Sequence, residues 1–88
     1  LETRPMAGLR AAPKRIGDLF YETRVLMGRD FTLRRFADEV LGATVDPVML
    51  GYIEKGKRFP SEALVRRLAG ARKQNPRELL AVLWRDRM

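Results

Sequence analysis

The sequence predicts an all-α fold, a compact set of five short helices around one core. Apolar residues recur at i, i+3, i+4 and i+7 in five separate segments, the spacing that lines one face of a helix. Each segment is bounded by a capping residue, a proline or a glycine. No stretch alternates apolar and polar residues as a half-buried strand requires. A chain of 88 residues, 45% hydrophobic and 33% charged, has the size and composition of a single small domain.

The first helix is expected from about Pro13 and Lys14 to Met27. Ile16, Leu19, Phe20, Thr23, Leu26 and Met27 form its apolar face, Asp18, Glu22 and Arg24 its polar face, and Gly28 its stop. Thr32 stands before Leu33, Phe36, Ala37, Val40 and Leu41 as the N-cap of a second helix closed by Gly42. Asp46 and Pro47 open a third, a capping carboxylate followed by a proline whose missing N–H costs nothing at the first helical position. Leu50 and Ile53 continue its stripe to Gly56, and Met49 beside Leu50 reads as a core filler. Ser61 caps a fourth helix with Leu64, Val65 and Leu68 facing inward, weakened at Gly70 by about 1 kcal/mol relative to alanine. Asn75, Pro76 and Glu78 open the fifth, whose core residues are Leu79, Leu80 and Leu83.

Composition removes several classes of function. There is no cysteine and no histidine, so disulfides, thiolate nucleophiles, imidazole acid/base steps and the usual zinc sites lack their atoms. Adjacent carboxylates such as Asp38 and Glu39 point to different sides of a helix, and no nucleophile has a base beside it. Neither an enzyme nor a cofactor or metal site is expected. The longest apolar run, Leu79 to Trp84, falls far short of the roughly 20 residues of a membrane span. Residues 1–15 read as a flexible basic segment without the apolar block of a signal peptide, residues 1–5 as a candidate cloning remnant, and residues 16–88 as the folded domain. The expected location is the cytoplasm, with the nucleoid.

The formal net charge is +7, from 18 basic and 11 acidic residues, the footprint of a polyanion binder. It is unevenly distributed: residues 1–15 carry net +3, residues 16–54 net −3, residues 55–73 net +6 and residues 74–88 net +1. A polyanion would meet the turn after the third helix and the fourth helix first. Arg10, Lys14 and Arg15 beside Pro13 suit either a basic arm that reaches a neighbouring groove or a solvated tail.

The second and third helices are short and joined by Gly42-Ala43-Thr44-Val45, a small-residue connection of helix-turn-helix type. The ordered set of Thr32-Leu33-Arg34-Arg35-Phe36-Ala37, Asp46-Pro47, Leu50-Gly51-Tyr52-Ile53-Glu54-Lys55-Gly56, Pro60-Ser61, Leu68-Ala69 and Asn75-Pro76-Arg77-Glu78-Leu79-Leu80 resembles the phage-repressor (Cro/XRE-type) helix-turn-helix family over about residues 16 to 83. The resemblance implies a repressor-like five-helix domain whose third helix, about residues 47–55, lies in the major groove of double-stranded DNA, often as a dimer. It implies a groove-facing set of Pro47, Val48, Gly51 and Tyr52, phosphate contacts from Thr32, Lys55, Lys57 and Arg58, and a structural ion pair between Arg24 and Glu54. Three departures stand out. Leu33 occupies a position where the family often has a phosphate-binding glutamine, the turn between helices two and three is long, and Arg72 and Gln74 replace apolar residues between helices four and five.

The reading face is chemically sparse. Pro47 and Val48 offer only apolar contact to thymine methyls, whereas Tyr52 can hydrogen-bond or else pack its ring on helix two. Gly51 suits either a close approach to DNA or a tight crossing against helix two. Val82, Trp84 and Met88 fall outside the fifth helix's core stripe and are expected to contact a second copy, with closure of its own core as the other role for Trp84. The leading expectation is a DNA-binding transcriptional regulator of repressor type. The alternatives are a protein-interaction module on the same fold, antitoxin-like or regulatory, and a non-specific nucleic-acid binder.

Overall fold

The structure is a computed structural model that describes residues 14–28 and 31–88. Among them are five helices and no strand: α1 (Ile16–Leu26), α2 (a single α-helical turn, Leu33–Arg35, continued by a π-helical turn, Phe36–Val40), α3 (Pro47–Glu54), α4 (Glu62–Arg72) and α5 (Pro76–Arg87). The expected caps operate. Thr32 accepts from the Arg35 N–H at 3.1 Å, Asp46 from the Val48 N–H at 2.7 Å, Ser61 from the Leu64 N–H at 3.1 Å and Asn75 from the Arg77 N–H at 2.9 Å. Each satisfies a donor that the first turn of a helix leaves without an intrahelical partner.

One core draws on all five helices. It contains Ile16, Leu19 and Phe20 from α1, Phe36, Ala37 and Leu41 from α2 and its end, Leu50 and Ile53 from α3, Leu64, Val65, Leu68 and Ala69 from α4, and Leu79, Leu80 and Leu83 from α5. α4 and α5 pack along one another, and α1 crosses α3. Asp86 near the end of α5 accepts the first N–H of α1, from Ile16, at 2.6 Å, so the first and last helices are pinned together.

The π turn in α2 follows from what must be buried. In an α-helix Phe36 and Leu41, five residues apart, would point about 140° away from each other. The Leu41 N–H instead donates to the Phe36 carbonyl at 3.0 Å, an i to i+5 bond that brings both side chains into the core. The chain then leaves through Gly42 and Ala43, both at positive φ (72° and 58°), and the Ala43 N–H closes back to the Ala37 carbonyl at 2.7 Å. Thr44 Oγ1 donates to the Leu41 carbonyl at 2.7 Å. The long turn is therefore internally bonded.

Several expectations are corrected. Leu26 and Met27 are exposed rather than core residues, because the inward face of α1 ends at Thr23. Thr23 is buried, with its hydroxyl bonded to the Leu19 carbonyl, and receives the Arg72 guanidinium at 2.9 Å. Met49 is exposed as well, since Leu50 and Ile53 alone point from α3 into the core. Helix one begins at Ile16 rather than near Pro13, which lies outside the described residues together with the candidate remnant 1–5 and Arg10. Lys14 and Arg15, grouped in the sequence with a flexible arm, are held against the domain. Lys14 pairs with Glu22 and its carbonyl accepts from Arg85, while the Arg15 guanidinium lies over Gly56.

Two glycines inside helices behave oppositely. Gly17 in α1 is buried where a Cβ would overlap the Ile53 carbonyl oxygen of α3, whereas a Cβ on Gly70 in α4 would meet nothing within 4 Å. Gly17→Ala should therefore lower stability by about 2–3 kcal/mol through backbone overlap. Gly70→Ala should raise it by about 1 kcal/mol through helix propensity. Urea denaturation of the two variants checks both signs.

Candidate nucleic-acid interface

The geometry of the site starts from how α1 holds α3. Close approach at Gly17 to the Ile53 carbonyl sets the separation, and Arg24, further along α1, grips the adjacent Glu54. Its Nε and Nη2 donate to Glu54 Oε2 and Oε1 at 2.9 and 3.0 Å, and its Nη1 donates to the Phe31 carbonyl at 3.3 Å. The Glu54 side chain is 7% exposed. A planar guanidinium meeting both carboxylate oxygens fixes direction as well as distance. One residue cluster thus ties α1, the segment before α2, and the C-terminal end of α3.

With Leu50 and Ile53 turned inward and Glu54 held by Arg24, α3 presents Val48, Met49 and Tyr52 to solvent. Val48 is 66% exposed, Met49 and Tyr52 are also exposed, and Pro47 and Gly51 are half-buried. Gly51 faces α2, where a Cβ would sit 3.5 Å from Leu33 Cδ1, an ordinary contact rather than a clash. Tyr52 lines a shallow hollow with Lys57 and Arg58, so its ring lies toward the basic turn. That turn is shaped by Gly56 (φ 79°) and by the Lys57 N–H donating to the Tyr52 carbonyl at 2.8 Å. Lys55, Lys57 and Arg58 are all exposed on it.

Thr32 lies at the start of α2 with its oxygen engaged in the cap, which leaves the hydroxyl proton free to be donated. Arg34 is exposed in the same first turn. The basic stretch 55–73 does not act as one unit. Arg66, Arg67 and Lys73 are exposed, but Arg72 turns inward to Glu22 (3.0 Å), Thr23 and Gln74. The joint between α4 and α5 is therefore a charged one, tied to α1. Arg67 lies against Gly42, beside the end of α2.

Arg15, read from the sequence as part of a basic arm or a solvated tail, and Gly17, not singled out there, take their places from the fold. Arg15 borders the same depression as Gly56, Arg58 and Phe59, which brings a cation from before α1 to the turn after α3. Only its proximity in the fold could reveal this. Gly17 was legible in principle, because a glycine inside an amphipathic helix calls for a packing reason. On α5, Val82 is half-buried against the core, Met88 is exposed at the end of the helix, and Trp84 is half-exposed with its indole N–H donating to Glu62 Oε2 at 3.3 Å. Trp84 therefore does not close the core.

No group of His, Cys, Asp and Glu side chains among the described residues could hold a metal ion, and no described helix is long and apolar enough to cross a membrane. In comparisons with known proteins, no family model, no curated protein and no solved structure matches the chain.

The brace can be tested apart from any ligand. Arg24→Ala leaves the Glu54 carboxylate buried without its partner and should cost about 3 kcal/mol, and Arg24→Lys, which cannot bond both oxygens, should recover only part of it. Chemical denaturation at neutral pH measures both.

Acid stability reports the neighbouring network. The Lys14 ammonium, and after it the Arg72 guanidinium, hold the Glu22 carboxyl below the ordinary glutamate value of 4.5. A carboxyl whose folded pKa is lowered adds stability that is complete above its unfolded value and is lost as pH falls through the folded one. Wild type should therefore lose more stability than Glu22→Gln as pH drops below about 4.5. Thermal melts of the two proteins across that range make the comparison.

Proposed function

We propose that this chain is a DNA-binding transcriptional regulator of repressor type, a member of the Cro/XRE-like helix-turn-helix class, working in the cytoplasm on the nucleoid. α3 enters the major groove, and the basic turn after it grips the phosphate backbone. One observation carries the reading. The outward face of α3, formed by Pro47, Val48, Gly51 and Tyr52, runs directly into the exposed cations Lys55, Lys57 and Arg58, with Thr32 at the start of the preceding helix.

The division of labour follows from the side chains. Lysine and arginine on the turn neutralise phosphates and fix the register of the helix. Tyr52 is the hydrogen-bond donor closest to the bases, and Val48 meets thymine methyls, so the preference is for sites with thymine at the positions under α3. Arg15, beside Gly56, extends the phosphate grip toward the start of α1.

A second reading is favoured by the exposed Val48 and Met49: an apolar helix face suits a protein groove as well as a DNA groove. In that case the chain is a protein-interaction module, antitoxin-like or regulatory. A non-specific nucleic-acid binder would use the cations and none of the α3 face.

Salt dependence separates backbone grip from the rest. Each phosphate neutralised contributes about 0.9 to the slope of log affinity against log salt. Lys57→Ala combined with Arg58→Ala should flatten that slope by nearly 2 and weaken binding to every duplex alike. Unchanged affinity and slope would remove these residues from the interface. Competition between random DNA and duplexes selected from a random pool then distinguishes the readings. A regulator prefers selected sites by about a thousandfold or more, a general binder shows affinity without preference, and an interaction module binds neither.

A further inference from the structure

We propose that the turn after α3 carries a second nucleic-acid site, for one unpaired nucleotide of a single strand, with Phe59 as the platform for the base and Arg15 and Arg58 as the clamp for its phosphate. Phe59 follows the cations of the turn and is 54% exposed, and it belongs neither to the core nor to the partly buried side chains packed against it. Among the described residues no other ring pairs with it and no guanidinium stacks on it. A bare aromatic ring set among cations is the arrangement on which unpaired bases stack, because every base has a π face. A base inside a duplex has both faces covered by its neighbours and shows a protein only its edges, so double-stranded DNA leaves this ring without a role. The site lies beside the outward face of α3 rather than on it, and stands whether or not α3 reads duplex DNA.

The phosphate end is assembled from two parts of the chain. Arg15, from before α1, and Arg58 border one depression with Gly56 and Phe59. Arg15 Nη2 lies 3.4 Å from where a Cβ on Gly56 would stand, so the guanidinium reaches over the backbone of the turn itself. Neither arginine has a carboxylate partner among the described residues. Two uncompensated guanidinium groups at one depression suit an anion with several acceptor oxygens. The depression holds about 10 Å³, space on the scale of a single water or phosphate oxygen. A base therefore lies outside it, on the exposed ring.

The end of α5 holds Arg15 in place. Asp86 also borders the depression. Its side chain is 11% exposed and accepts from the Ile16 N–H at 2.6 Å and from the Arg85 guanidinium at 3.1 Å, so its charge is already compensated and opposes a phosphate little. The Arg15 N–H donates to Asp18 at 3.0 Å, and Arg85 donates to the Lys14 carbonyl. The backbone on each side of Arg15 is therefore bonded, and its side chain starts from a fixed point. Arg58 borders the adjoining hollow as well, with Tyr52 and Lys57, which gives a strand leaving the clamp a further cation.

Fluorescence anisotropy tests the site with a short labelled oligothymidylate and an abasic strand of equal length, which offers the same phosphates and no base. Wild type should prefer the oligothymidylate by about tenfold, the scale of one stacked base. Phe59→Ala should erase that preference by weakening the oligothymidylate alone. Phe59→Trp should keep it, and Phe59→Leu, apolar but without a ring, should not. Arg15→Ala should weaken both strands by the same factor, because it meets only phosphate. A selected duplex reports on α3 separately, and Phe59→Ala should bind it as wild type does. Equal wild-type affinity for the two strands would overturn the site without recourse to any variant. So would a preference that survives Phe59→Ala, a preference lost with Tyr52→Ala alone, or binding of both strands unchanged in Arg15→Ala.

Discussion

The close crossing of α1 over α3 is the constraint from which the useful surface follows. Gly17 has no side chain because the Ile53 carbonyl occupies that space, and Arg24, about two turns further along α1, grips both oxygens of the adjacent Glu54. Both contacts fall on the last turn of α3, at Ile53 and Glu54, and hold that end of the helix from two places on α1. With Leu50 and Ile53 committed to the core, the outward direction of Val48, Met49 and Tyr52 follows. The same brace holds the end of α3, so the position of the Gly56 turn and its three cations is set as well. Rigid presentation of a helix is what groove recognition needs, because a small angular error at the brace is magnified at its far end.

The charge distribution acquires a different meaning once the side chains are placed. A net +6 over residues 55–73 looks like a continuous strip, yet Arg72 turns inward to knit α4 to α1. What remains outward around the turn is Lys55, Lys57 and Arg58, joined by Arg15 from before α1. The arrangement is a cluster gathered from separate parts of the chain. On the proposed reading its cations supply most of the affinity, and the apolar face of α3 supplies a modest preference. Binding energy and sequence discrimination then reside in different residues.

Most of the fold was legible because the chain punctuates itself. Thr32, Asp46, Ser61 and Asn75 cap the helices that follow them, and Gly42 and Gly56 leave at positive φ. The failures have local causes. A strict 3.6-residue period carried the α1 stripe to Leu26 and Met27, but burial ends where the neighbouring helices end, a fact of tertiary structure. The same period could not show that α2 would widen to a π turn so that Phe36 and Leu41 share the core. Met49 was misread because an apolar residue beside a core residue need not be in the core. Of the site, Arg24 and Glu54 were legible by resemblance and Tyr52 by its position on α3, whereas Arg15 and Gly17 act through contacts with residues about 40 positions away.

The central claim is that the α3 face and the turn after it form the binding surface. Backbone amide shifts followed by NMR during titration with a duplex selected from a random pool test it most directly. The largest changes should fall on Val48, Gly51, Tyr52, Lys55, Lys57 and Arg58, with Thr32 and Arg15 next. The amides of the outer α1 face and of α5 should hold still. Changes concentrated on α1 or α5, with the α3 turn unmoved, would contradict the claim.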